Sequence, residues 1–119
     1  MDNPYLPNTA IITDIKEEVQ GERAITTFRT EFKDKKLAES FEFIPGQCAM
    51  VTLLGMGECF FAISSSPTKK GYLEFSVMRL GKVTQSLHEL EVENSLGVRG
   101  PYGNGFPVDE WKGKNILCI

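Results

Sequence analysis

Two stretches of this sequence carry side chains and backbone arranged for chemistry. In "FSVMRLGKVTQSLHEL" (residues 75–90) an alternating run passes through a glycine into a segment with helical spacing. The start of a helix presents backbone N–H groups with no partner in the helix, together with the positive end of its dipole, and so suits a phosphate or diphosphate. Gly81 lets such a group approach the backbone closely, and Thr84 adds a hydroxyl and is the expected helix cap. In "FIPGQCAMVTLLGMGECFFAISSSP" (residues 43–67) an aromatic strand through Phe60 and Phe61 ends in three serines and a proline. The strand offers a face to a planar ring, and the hydroxyls offer donors and acceptors to its edge. Each stretch alone has a plain structural reading, a capped helix in one case and a polar turn in the other. Together they describe a flavin nucleotide laid across a barrel.

The rest of the chain narrows the chemistry. A net charge of −3 and a pI near 5.2 give no broad positive field, which argues against nucleic-acid backbones and anionic membranes as partners. Lys35-Lys36 and Lys69-Lys70 read as solvated loops. Cys48, Cys59 and Cys118 are odd in number, show no C-x-x-C pair and have no histidine near them, so they read as small buried hydrophobes rather than as a disulfide framework or zinc ligands. His88, the one histidine, reads as a solvent-facing spectator, and no histidine–carboxylate or nucleophile constellation is visible. With no signal peptide and no long apolar segment, the chain reads as cytoplasmic.

At 119 residues the chain has room for one core. Short runs of Thr, Val, Ile and Phe between Gly, Pro, Asp and Lys predict an all-β fold, a small antiparallel barrel or sandwich. Six strands are expected, over residues 9–18, 24–32, 47–54, 59–65, 72–80 and 95–99. In the first, Ile11, Thr13 and Ile15 share one face and Ile12 and Asp14 the other; in the fifth, Leu73, Phe75 and Val77 point one way and Glu74 and Ser76 the other. Residues 33–40 read as a charged connection, and Pro45-Gly46 as the centre of a type II turn. Val83, Leu87 and Leu90 fall at i, i+4 and i+7 and predict one short helix. Three glycines and two prolines in "GPYGNGFP" make a tight corner where Tyr102 is explained as turn structure. The expected organisation is an extended arm over 1–8, a barrel over 9–108, and over 109–119 a linker and one buried strand. That strand reads as the first of an absent α/β domain, and Trp111 as packing between the two.

Four motifs in order, "NPYLP", "FIPGQCAMVTLLGMGECFFAISSSP", "EFSVMRLGKVTQSLHEL" and "LGVRGPYGNGFPV", resemble the FAD-binding barrel of the ferredoxin–NADP reductase superfamily. Within it, the chain is similar to the electron-transfer subunits of the sulfhydrogenase gamma and anaerobic sulfite reductase types. The resemblance implies a six-stranded antiparallel Greek-key barrel that binds FAD. It also implies an NAD(P)H-binding domain following the barrel, and an iron–sulfur protein or subunit as electron partner. By the same resemblance Phe61, Ala62, Ile63 and Ser64 meet the flavin ring, Met78 and Arg79 lie along the linker of the cofactor, and Gly81, Lys82, Val83 and Thr84 hold its diphosphate. Many members carry Arg-x-Tyr-Ser where this chain has Cys59, Phe60, Phe61 and Ala62. Phe61 still supplies a flat apolar contact. Cys59 cannot replace a guanidinium, and Ala62 cannot donate to flavin N5, which leaves that bond to backbone or to Ser64. The expected protein is a flavin-dependent oxidoreductase subunit, inactive with nicotinamide as this fragment alone. The alternative is a cofactor-free barrel serving as an interaction module, separated from the first by whether the protein carries flavin.

Overall fold

The computed structural model describes residues 5–119; the first half of the expected N-terminal arm, residues 1–4, lies outside the described residues. Six strands form one antiparallel sheet: β1 (Asn8–Val19), β2 (Ile25–Phe32), β3 (Cys48–Leu53), β4 (Gly57–Ala62), β5 (Leu73–Met78) and β6 (Ser95–Tyr102). Their order is β4-β3-β6-β1-β2-β5, the Greek-key arrangement in which β6 returns between β3 and β1. Two helices accompany them, α1 (Lys35–Ser40) and α2 (Lys82–His88). The second is the helix that the apolar spacing predicts, with Leu87 buried and Val83 and Leu90 packed against the core. The first lies inside the charged connection. Asp34 caps it by accepting the Lys36 N–H at 3.0 Å, and Leu37 and Ala38 turn onto the core.

Inward-facing residues of every strand except β4 fill the core, including Ile12, Phe28, Val51, Phe75 and Val98, each at most 2% exposed. β5 alternates as expected, Leu73, Phe75 and Val77 in and Glu74, Ser76 and Met78 out. β1 does not. Ala10 and Ile12 face the core, and a bulge between Ile12 and Asp14 in the pairing with β2 resets the alternation so that Ile15 turns inward next. Ile11 and Ile15 therefore do not share the core face. The bulge sits where β1 leaves β6, which it pairs over Asn8–Ile11.

The Pro45-Gly46 turn has the positive φ expected of it, 93° at Gly46, and Phe106 lies so close that a Cβ there would meet its ring at 2.8 Å. Phe106 N–H donates to Pro45 O, and Gln47 Nε2 donates to Gly103 O, so the glycine-rich corner is tied to this turn. Trp111 stacks on Phe106, with ring centroids 5.7 Å apart. Residues 115–119 form no strand, Ile116, Leu117 and Ile119 are exposed, and Cys118 is exposed rather than buried as its apolar run predicts. A single strand has nothing to bond with here.

Candidate functional site

In the sheet order β4 and β5 stand at opposite edges, and curling the sheet brings those edges face to face. No ladder joins them. Ser64 N–H donates to Glu74 O at 2.8 Å, and Glu74 N–H donates to Ser65 Oγ at 3.0 Å, closing one end of the seam. Ile63 N–H is committed to Gln47 O on the β3 side, so strand alternation turns the backbone of Ala62 and Phe60 toward β5. Arg79 N–H is likewise committed to Ala24 O, which leaves the backbone of Ser76 and Met78 facing β4. The seam is thus a slot edged by unpaired peptide groups, open toward α2. Gly57 marks how near α2 comes, since a Cβ there would lie 3.2 Å from Val83 Cγ2.

The residues expected to bind a cofactor gather around this slot, in differing roles. Ala62 and Ser64 are exposed and Met78 is 40% exposed on the β5 edge. Phe61 is half-buried and packs against the core, whereas its neighbour Phe60 is 58% exposed and meets Tyr102 edge-on at 5.7 Å. Ile63 faces the core at 7% exposure, with its amide already bonded, and presents no side chain to a ligand. Arg79 is exposed, and its guanidinium donates to Gly21 O at 3.0 Å and Glu22 O at 3.4 Å, holding the β1–β2 turn. Lys82 is exposed, with no side-chain hydrogen bond or ion pair among the described residues.

The start of α2 is built differently from the sequence reading. Gly81 is the N-cap, in extended backbone, and nothing lies within 4 Å of where its Cβ would be. Thr84 sits at the third helical position and reaches back: its Oγ1 accepts Leu80 N–H and Gly81 N–H, each at 2.8 Å, and donates to Gly81 O at 3.0 Å. One donor and two acceptor sites are all a hydroxyl has, so Thr84 offers a ligand only its amide. The amides of Lys82, Val83 and Thr84 make no hydrogen bond among the described residues.

His88 is not a spectator. It is half-buried, its Nε2 lies 2.8 Å from Val77 O and its Nδ1 3.4 Å from Thr26 Oγ1, and its ring meets Phe28 edge-on. A carbonyl only accepts, so the Nε2 proton goes to Val77 and Thr26 donates to Nδ1. The reason is geometry: Leu87 points into the core, and its neighbour is carried around the helix onto β5 and β2.

Sequence reasoning missed a cluster on the outer face of β6, β3 and β4. Arg99 donates to Tyr102 Oη at 2.9 Å and pairs with Glu58 at 3.2 Å, while its Nε is buried with no partner. The Tyr102 hydrogen bond, against a smaller opposing cost of desolvation and with Glu58 adding, holds this guanidinium above its ordinary pKa. Met50 pairs with both Arg99 and Phe60, a cross-strand adjacency visible only once the register is known.

The fold is the six-stranded antiparallel Greek-key barrel of an FAD-binding domain. The model of the oxidoreductase FAD-binding domain matches residues 11–106, and the chain belongs to that family, whose cofactor is FAD. Sulfhydrogenase 1 subunit gamma of Pyrococcus furiosus is 41% identical over 118 residues, 99% of this chain but 39% of the relative. A probable dihydroorotate dehydrogenase B (NAD(+)) electron transfer subunit of Methanocaldococcus jannaschii is 38% identical over 110 residues, 92% of this chain and 36% of the relative. The chain therefore spans about two fifths of the length of these relatives. The ferredoxin-NADP+ reductase of Plasmodium falciparum shares the fold with a TM-score of 0.73 at 15% identity, over 87% of this chain and 41% of that one. The relatives are oxidoreductase subunits, and no helix among the described residues is long and apolar enough to cross a membrane.

Proposed function

We propose that this chain is the flavin-carrying part of an electron-transfer subunit, with FAD in the slot between β4 and β5, passing electrons between a nicotinamide and an iron–sulfur partner in the cytoplasm. The observation that carries the reading is the unpaired seam in a chain of this family: two facing strand edges, joined at one end, beside an uncommitted lysine and three free amides. The residues fit the group. Ala62, Ser64 and Met78 border the ring, with Phe61 behind them, and the amides of Lys82, Val83 and Thr84 face the diphosphate across the open space at Gly81. Lys82 supplies the cation that Cys59 does not, and Arg79 contributes by fixing the turn beside it. When bound, the flavin supplies the redox chemistry, and the protein orients it and sets its electrostatics.

Nicotinamide binding belongs to a second domain in this reading, which follows the linker at 109–119 and accounts for the exposed Ile116, Leu117 and Ile119. The test is to purify the chain, record its absorbance and identify any flavin released on denaturation. Stoichiometric FAD is expected. A colourless protein that neither FAD nor FMN reconstitutes points instead to a cofactor-free interaction module, the reading that Cys59 and Ala62 favour.

A further inference from the structure

The two walls of the slot are not held alike. β5 buries Leu73, Phe75 and Val77 and is anchored by the core. β4 buries no side chain fully, and its inward positions, Cys59 and Phe61, are both half-buried. As an edge of the sheet it pairs with β3 alone. A strand with so little buried surface opens locally at low cost unless something else restrains it.

The restraint lies on the outer face. Arg99 stands on β6, two strands away from β4, and reaches over β3 to hold β4 at two positions. Its Nη2 donates to Glu58 Oε1, while Thr52 Oγ1 of β3 donates to the other oxygen of the same carboxylate at 2.9 Å. Its Nη1 donates to Tyr102 Oη, and the Tyr102 ring meets Phe60 edge-on. The Arg99 side chain is only 18% exposed, so its contacts escape much of the screening that weakens a surface pair. A guanidinium is a rigid planar fork, and a shift of Glu58 or Tyr102 breaks its bonds where a flexible ammonium would follow. The buried Nε has no partner among the described residues, which leaves the two terminal nitrogens to fix where the group sits.

We propose that Arg99 is a positioning residue for the slot: by holding β4 at Glu58 and, through Tyr102, at Phe60, it fixes one wall of the site and strengthens FAD binding from the opposite face of the strand. The inference rests on the reading that FAD occupies the slot. Apparent affinity falls in proportion to the fraction of molecules whose wall is in place. Loss of a charge-assisted hold changes such a fraction by about tenfold.

The test combines FAD titration of the full chain with native-state hydrogen exchange before FAD is added. Ile63 N–H bonds to β3, so by alternation the amides of Cys59 and Phe61 do too, and their exchange reports the wall. Arg99→Met, which keeps an apolar stem and removes the fork, is expected to raise the dissociation constant for FAD about tenfold. It is also expected to speed exchange at Cys59 and Phe61 while Phe75 and Val77 on β5 stay protected. Glu58→Gln, which keeps the shape and weakens one hold, moves both readouts the same way by a smaller factor, and carries the test if Arg99→Met does not fold. Ile12→Val in the distant core serves as the control: it lowers the urea midpoint and leaves FAD affinity and β4 exchange at wild-type values. Wild-type affinity in the folded Arg99 and Glu58 variants overturns the proposal and leaves the flavin reading intact, and so does an equal effect of Ile12→Val, which makes the role one of general stability. A wild-type chain that takes up no flavin overturns that reading, and the proposal with it.

Discussion

Lys82 and Arg79 stand within a turn of each other, yet the structure gives them different work. Arg79 spends its guanidinium on two carbonyls of the β1–β2 turn, while Lys82 has an ammonium group with nothing to bind among the described residues. Charge-assisted hydrogen bonds contribute about 1.5–3 kcal/mol, so Lys82→Ala is expected to weaken FAD binding by roughly tenfold or more. Arg79→Ala is expected to act less on affinity and more on stability. Fluorescence titration with FAD measures the first and chemical denaturation the second. Affinity unchanged in the double variant excludes both as the cationic contact. His88 is the other residue whose role follows from its bonds. His88→Ala removes the donor to Val77 O and the acceptor for Thr26, whose hydroxyl is on a residue 6% exposed, and is expected to cost about 1–3 kcal/mol in urea unfolding. A cost of a few tenths shows the ring to be solvated after all.

Elements were legible where a single strand or helix decides its own pattern. Leu73, Phe75 and Val77 alternate because β5 buries one face along its whole length, and Val83 and Leu87 mark α2 for the same reason. The bulge after Ile12 was not legible, because it arises where β1 exchanges two neighbours for one, a fact of pairing rather than of composition. α1 did leave a trace, an Asp34 cap ahead of Leu37 and Ala38, hidden by the lysines between them. For the slot, the sequence named Ala62, Ser64, Met78 and the start of α2. Phe61 packs against the core and Ile63 faces it with its amide bonded to Gln47, placements set by the pairing of β3 with β4 rather than by composition. The type II turn is the element-scale feature with the sharpest consequence. Gly46 combines a φ of 93° with the Phe106 ring behind it, so Gly46→Ala adds left-handed strain of about 1–2 kcal/mol to a clash. A lower unfolding midpoint is expected, with Trp111 fluorescence shifting as the stacked Phe106 is displaced. A midpoint and emission equal to wild type contradict this account of the corner.

At the scale of the whole molecule, the barrel is a sheet whose last two edges are left largely unjoined, and that incompleteness is what makes room for a ligand. An edge strand with free peptide groups is a liability unless it is covered or its exposed length is kept short. Here β4 and β5 are six residues each and are pinned at one end by two hydrogen bonds, one of them to the side chain of Ser65, which is 8% exposed. Ser65→Ala leaves the Glu74 N–H without its acceptor and half of the pin intact. The loss is expected to be about 1–3 kcal/mol if that amide stays dry, and smaller if the seam parts enough to admit water. Native-state hydrogen exchange separates the two. Faster exchange confined to Ser64 and Glu74, with Ile12 and Val98 still protected to the level of global unfolding, means that the seam opens on its own while the core stays closed. On the proposal that FAD sits in the slot of the closed barrel, adding it at a hundredfold excess over its dissociation constant should restore about 2.7 kcal/mol of protection against global unfolding, and slow Ser64 and Glu74 together. Exchange at those two amides that ignores FAD places the ligand away from the seam.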